Sequence, residues 1–374
     1  MKKSLQFICL SFVILVSVCG IYLSSAFPIN TQPYVEKKYA GWSGVLRAWV
    51  CSDWSSNGSF IRWLNSCAAE FEKAHEGVYL EFTPVQESVL KALTPGSNLT
   101  PDLIFFSSGM ITTPDLLMEL SDSDALRLDL RSCGRGYALP IAMGGYIWAC
   151  NTALCESIPV KEDVVLLPQD TPGASYSAAL LGLLSAPPEV QGSEPTLPDA
   201  GIDLGLPVSA DAGSLYSPDA LDHFIEGELS FLPVCSADIS RLSRLRENGR
   251  GPDWKLVPAG NIACTDQLLL GGIPLREKDD GRIDLAEAFL YSLLDEDAQQ
   301  ALSTIGAHSV TGQMVYSDFS AYASLDALLN GLPLWTPDCF SEYSQRNTQA
   351  IVRSFLSGDL TAKNALAFLG FEGM

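Results

Sequence analysis

Val45-Leu46-Arg47-Ala48-Trp49-Val50, Val78-Tyr79-Leu80-Glu81-Phe82 and Pro101-Asp102-Leu103-Ile104-Phe105-Phe106 are the stretches whose reading decides the fold. The first reads as a strand, closed by a turn of Ser, Asn and Gly at residues 55–58. The second alternates apolar and polar residues, as a half-buried strand does, and the third is apolar after its Pro-Asp start. Between the first two, Phe60, Trp63, Leu64, Cys67, Ala68 and Phe71 recur at steps of three and four, with Arg62, Glu70 and Lys73 on the opposite face. That spacing predicts an amphipathic helix, and Gly77 stops it. A short helical piece separates the second strand from the third. The order strand, helix, strand, helix, strand predicts an α/β fold with a mainly parallel sheet flanked by helices, because parallel neighbours need a crossover. Such sheets bind ligands beyond the carboxyl ends of their strands, which directs attention to residues 52–58 and 107–110.

Further along, residues 282–305 carry Leu285, Ala286, Phe289, Leu290, Leu293 and Leu294 on one stripe, with Asp295-Glu296-Asp297 marking a turn or a fresh helix start and Gly306 the end. Residues 340–368 hold two more helical patterns, split by Ser357-Gly358-Asp359. The middle, residues 159–218, is rich in Pro and Gly and has one apolar helical piece over 176–184. No internal repeat, phosphate-cradling Gly-rich loop or low-complexity tract interrupts the chain.

At the other end, Lys2 and Lys3 precede an apolar run over residues 5–23. This reads as a secretory signal peptide or a retained signal anchor, so the chain is expected to be exported. Ser24-Ser25-Ala26 offers small residues for a peptidase; Val16-Ser17-Val18-Cys19 loosely follows a lipobox, with Val18 where a smaller residue belongs. Residues 1–26 are therefore assigned to a signal peptide or anchor and 27–40 to a linker. The 374 residues, 47% hydrophobic and 18% charged, suffice for two cored domains. A net charge of −21 argues against nucleic acid and anionic bilayer surfaces as partners. Of ten cysteines, Cys9 and Cys19 lie in the leader; the other eight have no CxxC spacing and read as small buried hydrophobes, although an exported chain could pair them.

An enzyme needs a constellation, and none is evident. His75, His223 and His308 have no ligand spacing and read as surface or cap residues. No metal and no cofactor is expected: there is no calcium loop, no P-loop and no GxSxG. The carboxylate runs fall in turns, and Gly144-Gly145 and Gly271-Gly272 suit hinges. Asp53 and Asp238 are the one pair that a polysaccharide-cleaving enzyme could use. Aromatic rings able to stack on sugars are Trp54, Tyr146, Trp148, Trp254, Trp335 and Tyr343, each with core packing as its alternative role.

The segments 63–75, 77–82 and 101–104, then Tyr137-Ala138-Leu139-Pro140 with Gly144-Gly145-Tyr146 and residues 151–154, then 224–231 and 286–306, resemble in order and spacing the extracellular solute-binding proteins of ATP-driven importers, the family of maltose- and oligosaccharide-binding proteins. The stretch after Leu154 lacks that family's tryptophan-acid-leucine helix opening. The resemblance implies a two-lobed, type II periplasmic-binding-protein-like fold, with each lobe a mainly parallel sheet: lobe 1 from residues 41–143 and 273–309, lobe 2 from 144–272 and 310–374. Crossings fall near 143–146, 264–273 and 308–313. It implies a cleft lined by Ser52, Asp53, Trp54, Ser107, Ser108, Tyr146, Ala237 and Asp238, with Trp254 and Trp335 as further stacking candidates. The implied role is capture, without chemistry, of a small solute, a saccharide foremost. A monomer would deliver it to the membrane permease of an ABC importer. Alternatives are a sensing ectodomain for a membrane receptor, and an amine or cation as solute.

Overall fold

The structure, a computed structural model, describes residues 42–52, 54, 58–94, 100–111, 113–154, 167–168, 216–217, 220–257, 263–265, 267–276, 281–316, 321–336, 339–340, 354, 359–360 and 364. All lie in one body, Trp42–Met374. The leader, the linker, the helical piece at 176–184, Asp53, Tyr343 and most of the tail helices lie outside the described residues.

The first sheet is built as the sequence patterns predict. Strands β1 (Gly44–Cys51), β2 (Val78–Pro84) and β3 (Leu103–Ser107) pair in parallel, β1 in the centre with Leu46 opposite Leu80 and Val50 opposite Phe105. Helix α1 (Phe60–Ala74) makes the crossover and turns Phe60, Trp63, Leu64, Ala68 and Phe71 inward. Its approach requires Gly58, at φ +84°, where a Cβ would stand 2.4 Å from the Thr304 carbonyl oxygen. The one-turn helix α2 (Glu87–Lys91) leads on towards β3, which is buried at every position. Phe105 sits edge-on to both Phe60 and Phe289, and each ring so buried stabilises the fold by about 1.5–3 kcal/mol.

Two further strands complete this sheet in the order β2-β1-β3-β11-β4: β4 (Leu139–Met143) at the edge and β11 (Leu268–Gly272) between β3 and β4, antiparallel to both. The division expected from sequence gives residues 268–272 to the second lobe; their hydrogen bonds place them in the first sheet.

Strand β5 (Tyr146–Asn151) is the centre of a second sheet, β8-β5-β9, with β8 (Phe231–Cys235) and β9 (Trp254–Val257) on either side. One strand of this sheet is reversed, and it is the central one: β5 is antiparallel to both neighbours. The strand–helix–strand reading still holds between the neighbours themselves. β8 and β9 run the same way and are joined by α4 (Ser236–Glu247), and β5 is the strand that intrudes between them. Smaller pieces are the pair β6 (Leu167–Pro168) with β7 (Tyr216–Ser217), helix α3 (Ala220–Ile225), and the pair β10 (Ala263–Cys264) with β12 (Leu334–Trp335).

The long apolar stripe after residue 281 forms α5 (Arg282–Ser292), breaks at Asp295, restarts as α6 (Glu296–Gln300) and tightens into a 3-10 turn over Ala301–Ile305. Helix α7 (Ala321–Gly331) packs against α4 and β9. Among the described cysteines, Cys51, Cys133, Cys150 and Cys339 are buried, and Cys67 and Cys235 half-buried.

Asp102, at the entry to β3, is a buried charge with its partners in place. It accepts the Arg47 N–H at 2.8 Å and the Arg276 guanidinium at 2.7 Å, tying β1, β3 and the segment after β11. Removing one partner of a buried pair leaves the other charge stranded, at about 3 kcal/mol. Asp102→Ala is expected to lower unfolding stability by about that amount, read from urea midpoints at unchanged slope.

Candidate binding site at the crossings

The chain passes between the two sheets at three places, and the three lie side by side. After β4 it turns at Gly144-Gly145 into β5; between β10 and β11 it returns through Thr265–Gln267; after the 3-10 turn it leaves through His308–Thr311 towards α7. Met143 and His308 exchange both main-chain hydrogen bonds (2.7 and 3.1 Å), and the Gly144 N–H donates to the Gln267 carbonyl at 2.7 Å. A Cβ at Gly144 would lie 2.2 Å from Gln267 Oε1, and one at Gly145 2.7 Å from a Leu329 methyl, so glycine lets the backbones touch.

Side chains then fasten the third crossing from both directions. Sequence reading puts His308 at the surface, yet it is completely buried, as are Ser236 and Asp326 (each 0% exposed). Its Nδ1 lies 3.0 Å from Asp326 Oδ1 and its Nε2 3.3 Å from Ser236 Oγ. The other oxygen of Asp326 accepts the N–H groups of Val315 (2.6 Å) and Tyr316 (3.2 Å). With Asp326 an acceptor throughout, Nδ1 carries the ring proton that faces it. The next residue, Ser309, points the other way and donates to Gln299 Oε1 at 2.7 Å, while Gln299 Nε2 donates to the Ile141 carbonyl of β4 at 2.9 Å. Beside this, Arg127 is paired with Asp129 at 2.8 Å and donates to the carbonyls of Leu329 and Leu332, neutralising the C-terminal end of α7.

Ser236, His308 and Asp326 have the connectivity of a nucleophile, base and orienting acid. Their burial closes them to any substrate carbonyl in this conformation, and their role here is to join elements.

The sequence-predicted site residues distribute around these crossings. β1, β3 and β4 end at the edge of the first sheet from which β11 starts, so Ser52, Trp54, Ser107 and Ser108 share the edge that holds the crossings. Ser52 and Trp54 are half-buried. The Ser52 hydroxyl accepts the Trp54 N–H at 3.0 Å, and the Trp54 indole N–H donates to the Ile305 carbonyl at 2.9 Å. Ser107 and Ser108 are buried (5% and 7% exposed): the Gly109 N–H donates to the Cys339 carbonyl at 2.7 Å, and Phe340 packs near Phe106. The sequence pattern predicts an open crevice at these two serines, and they are buried instead.

On the second sheet, Tyr146 lies opposite Cys235, and α4 begins at once, bringing Tyr146, Ala237 and Asp238 to the edge beside the crossings. Tyr146 is buried, and half-buried Asp238 accepts the Cys235 N–H at 3.0 Å, capping the helix. Trp254 is not brought to this group. It pairs with Asn151 at the far end of β5 and is buried under the Arg246 guanidinium, 4.6 Å from its ring. Trp148 is core, edge-on to Phe231. Asp53 and the side chain of Trp335 lie outside the described residues.

Among the described residues one group has metal-ligating spacing, His223, Glu226 and Glu228, whose donor atoms lie within 4.8 Å of one another on the surface of the α3 turn. It stands apart from the crossings in sequence. No helix among the described residues is long and apolar enough to cross a membrane.

No family model and no curated protein sequence matches the chain. Solved structures do. A family 1 extracellular solute-binding protein from Bifidobacterium longum subsp. infantis is 14% identical with a TM-score of 0.58, over 88% of this chain and 98% of that one. A cyclo/maltodextrin-binding protein complexed with maltotetraose is 14% identical with a TM-score of 0.57, over 88% and 96%. A cyclic alpha-maltosyl-1,6-maltose binding protein from Arthrobacter globiformis is 13% identical with a TM-score of 0.56, over 87% and 97%. At such identities the likeness establishes the fold: α/β, of the type II periplasmic-binding-protein kind.

Burial, then the neighbouring Asp238 carboxylate, push the Cys235 thiol up from 9.0 to about 12. The thiol of Cys67 is likewise pushed up to about 12 by burial. Above about pH 9 the unfolded chain ionises these thiols while the folded chain does not, so stability falls as pH rises from there towards 12. Denaturation midpoints at pH 8 and pH 10 are expected to differ less in Cys235→Ala than in the parent.

Proposed function

We propose that this chain is an extracytoplasmic binding protein that captures a small solute, a sugar or oligosaccharide, between its two sheets and hands it unchanged to the permease of an ABC importer. The observation that carries the reading is the meeting of both sheets' carboxyl edges at three adjacent crossings. Ligands of α/β sheets bind at such edges, and strands joined only through short extended crossings can close on a solute by hinge motion. Ser52 and Trp54 on one edge, and Ala237 and Asp238 on the other, are the half-buried residues of the expected set, of which Ser52, Trp54 and Asp238 carry polar or aromatic groups. An aromatic face suits the apolar side of a pyranose, and carboxylate and hydroxyl oxygens suit its hydroxyls.

The nature of the solute is supported by the proteins that share the fold, two of which are described by the maltose-type oligosaccharides they bind. Export is supported by the basic-then-apolar leader, residues 1–26, which also offers a tether by lipidation or as a retained anchor. Delivery follows from differential affinity: a solute that binds the closed form more tightly shifts the population towards it.

A thermal-shift panel on the purified chain is the test. Linear and cyclic maltooligosaccharides are expected to raise the melting temperature, by the equivalent of about 2.7 kcal/mol at a hundredfold excess over Kd. Trp54→Ala, which removes the stacking face, and Asp238→Asn, which keeps the helix cap but removes the charge that a sugar hydroxyl would meet, are each expected to weaken that shift about tenfold in sugar concentration. Silence from every saccharide, with a shift from a polyamine or metal ion, would replace the sugar by a cation and leave the fold untouched.

A further inference from the structure

Successive residues of one extended segment, His308 and Ser309, are gripped from opposite sides. The His308 main chain is paired with Met143 at the end of β4, while its ring reaches Asp326 of α7 and Ser236 in the first turn of α4. Ser309 Oγ and the Val310 N–H both donate to Gln299 Oε1 (2.7 and 3.0 Å), and Gln299 Nε2 donates to the carbonyls of Ile141 and Leu293 (2.9 and 2.7 Å). Every side chain in this relay is buried: Ser236, Gln299, His308, Ser309 and Asp326 are each 0% exposed.

Ser236 is also held from behind, its carbonyl accepting the Tyr322 hydroxyl at 2.9 Å. Two residues later in the same turn, Asp238 caps the Cys235 N–H. The imidazole is therefore a rigid spacer between the α4 turn and a segment whose backbone is paired with the first crossing. Through the Gly144 N–H and Gln267 carbonyl the connection reaches the second crossing as well.

We infer that His308 is a positioning residue: its ring carries displacements of the first turn of α4 to the three crossings and so fixes how the two sheets are set against each other. This deepens the binding reading above, since Asp238 is one of the residues proposed to touch the solute. Asparagine at 308 keeps a donor for Asp326 but is too short to meet Ser236 as well, which makes it the substitution that cuts the relay at one point.

The test is amide hydrogen exchange on the full chain, comparing the parent, Asp238→Ala, His308→Asn and the double variant. Asp238→Ala loosens the α4 turn and is expected to speed exchange at Met143, Gly144 and His308 about fivefold, the equivalent of one hydrogen bond. The same substitution made in the His308→Asn background is expected to add nothing at those amides, the non-additivity of groups that act in series. Amides of β1 and β3 should keep their protection in all four proteins. Additive effects at the crossings, no effect there, or equal deprotection of β1 and β3 would each overturn the inference. Ser236→Ala, which removes only the hydroxyl, replaces His308→Asn in the cycle should that variant fail to fold. None of these readouts uses a solute, so a chain that ignores every saccharide in the thermal assay can still satisfy or fail this test.

Discussion

Three passages of the chain between two sheets, all at one edge, constrain the rest of the molecule. A strand that comes from within a sheet's own helices ends at the crossing edge, as β1, β3, β4, β8 and β9 do. A strand that arrives through a crossing has to begin there and run away from it. β5 and β11 are those strands, and each is antiparallel to both of its neighbours. The mixed character of both sheets is thus a consequence of connectivity, and the same connectivity brings strand ends, helix starts and crossings to one region.

What the sequence reveals follows the range of the forces involved. α1, β2 and β3 are legible because their cores are written in local periods, and the break at Asp295 is legible because consecutive carboxylates disrupt an apolar stripe. The direction of β5 and β11 is not legible, since their partners lie far away in sequence, from Cys150 with Phe231 to Gly272 with Ile104, and pairing direction leaves no local trace. His308 shows the same limit. After Gly306 it looks like an exposed cap, and it is buried because Asp326 and Ser236, eighteen and seventy-two positions distant, supply its hydrogen bonds. One signal was present: Asp326 interrupts an otherwise apolar helix next to Leu325, and an acid at such a place needs a partner.

The candidate site divides along a similar line. Ser52 and Trp54 are singled out by their place after a strand end, Asp238 by the family resemblance, and the topology sets all three beside the crossings. The burial of Ser107 and Ser108 leaves no such local trace, because their neighbours Gly109 and Phe106 meet Cys339 and Phe340, from a part of the chain with no tie in sequence to β3. Trp254 qualifies as a stacking ring by its chemistry alone, and chemistry carries no information about which end of a strand a ring occupies.

The contacts that hold the first crossing against its neighbours are made by peptide groups: Met143 with His308, and Gly144 with Gln267. Peptide groups are the same in every residue, so these pairings ask of the residues that make them only the space that glycine leaves, while the imidazole of His308 and the hydroxyl of Ser309 fasten the segment separately. A joint of that kind can be inherited while almost everything around it is rewritten. The edges beside the joint, which carry Ser52, Trp54 and Asp238, can therefore change in sequence without altering the peptide pairings that join the crossings.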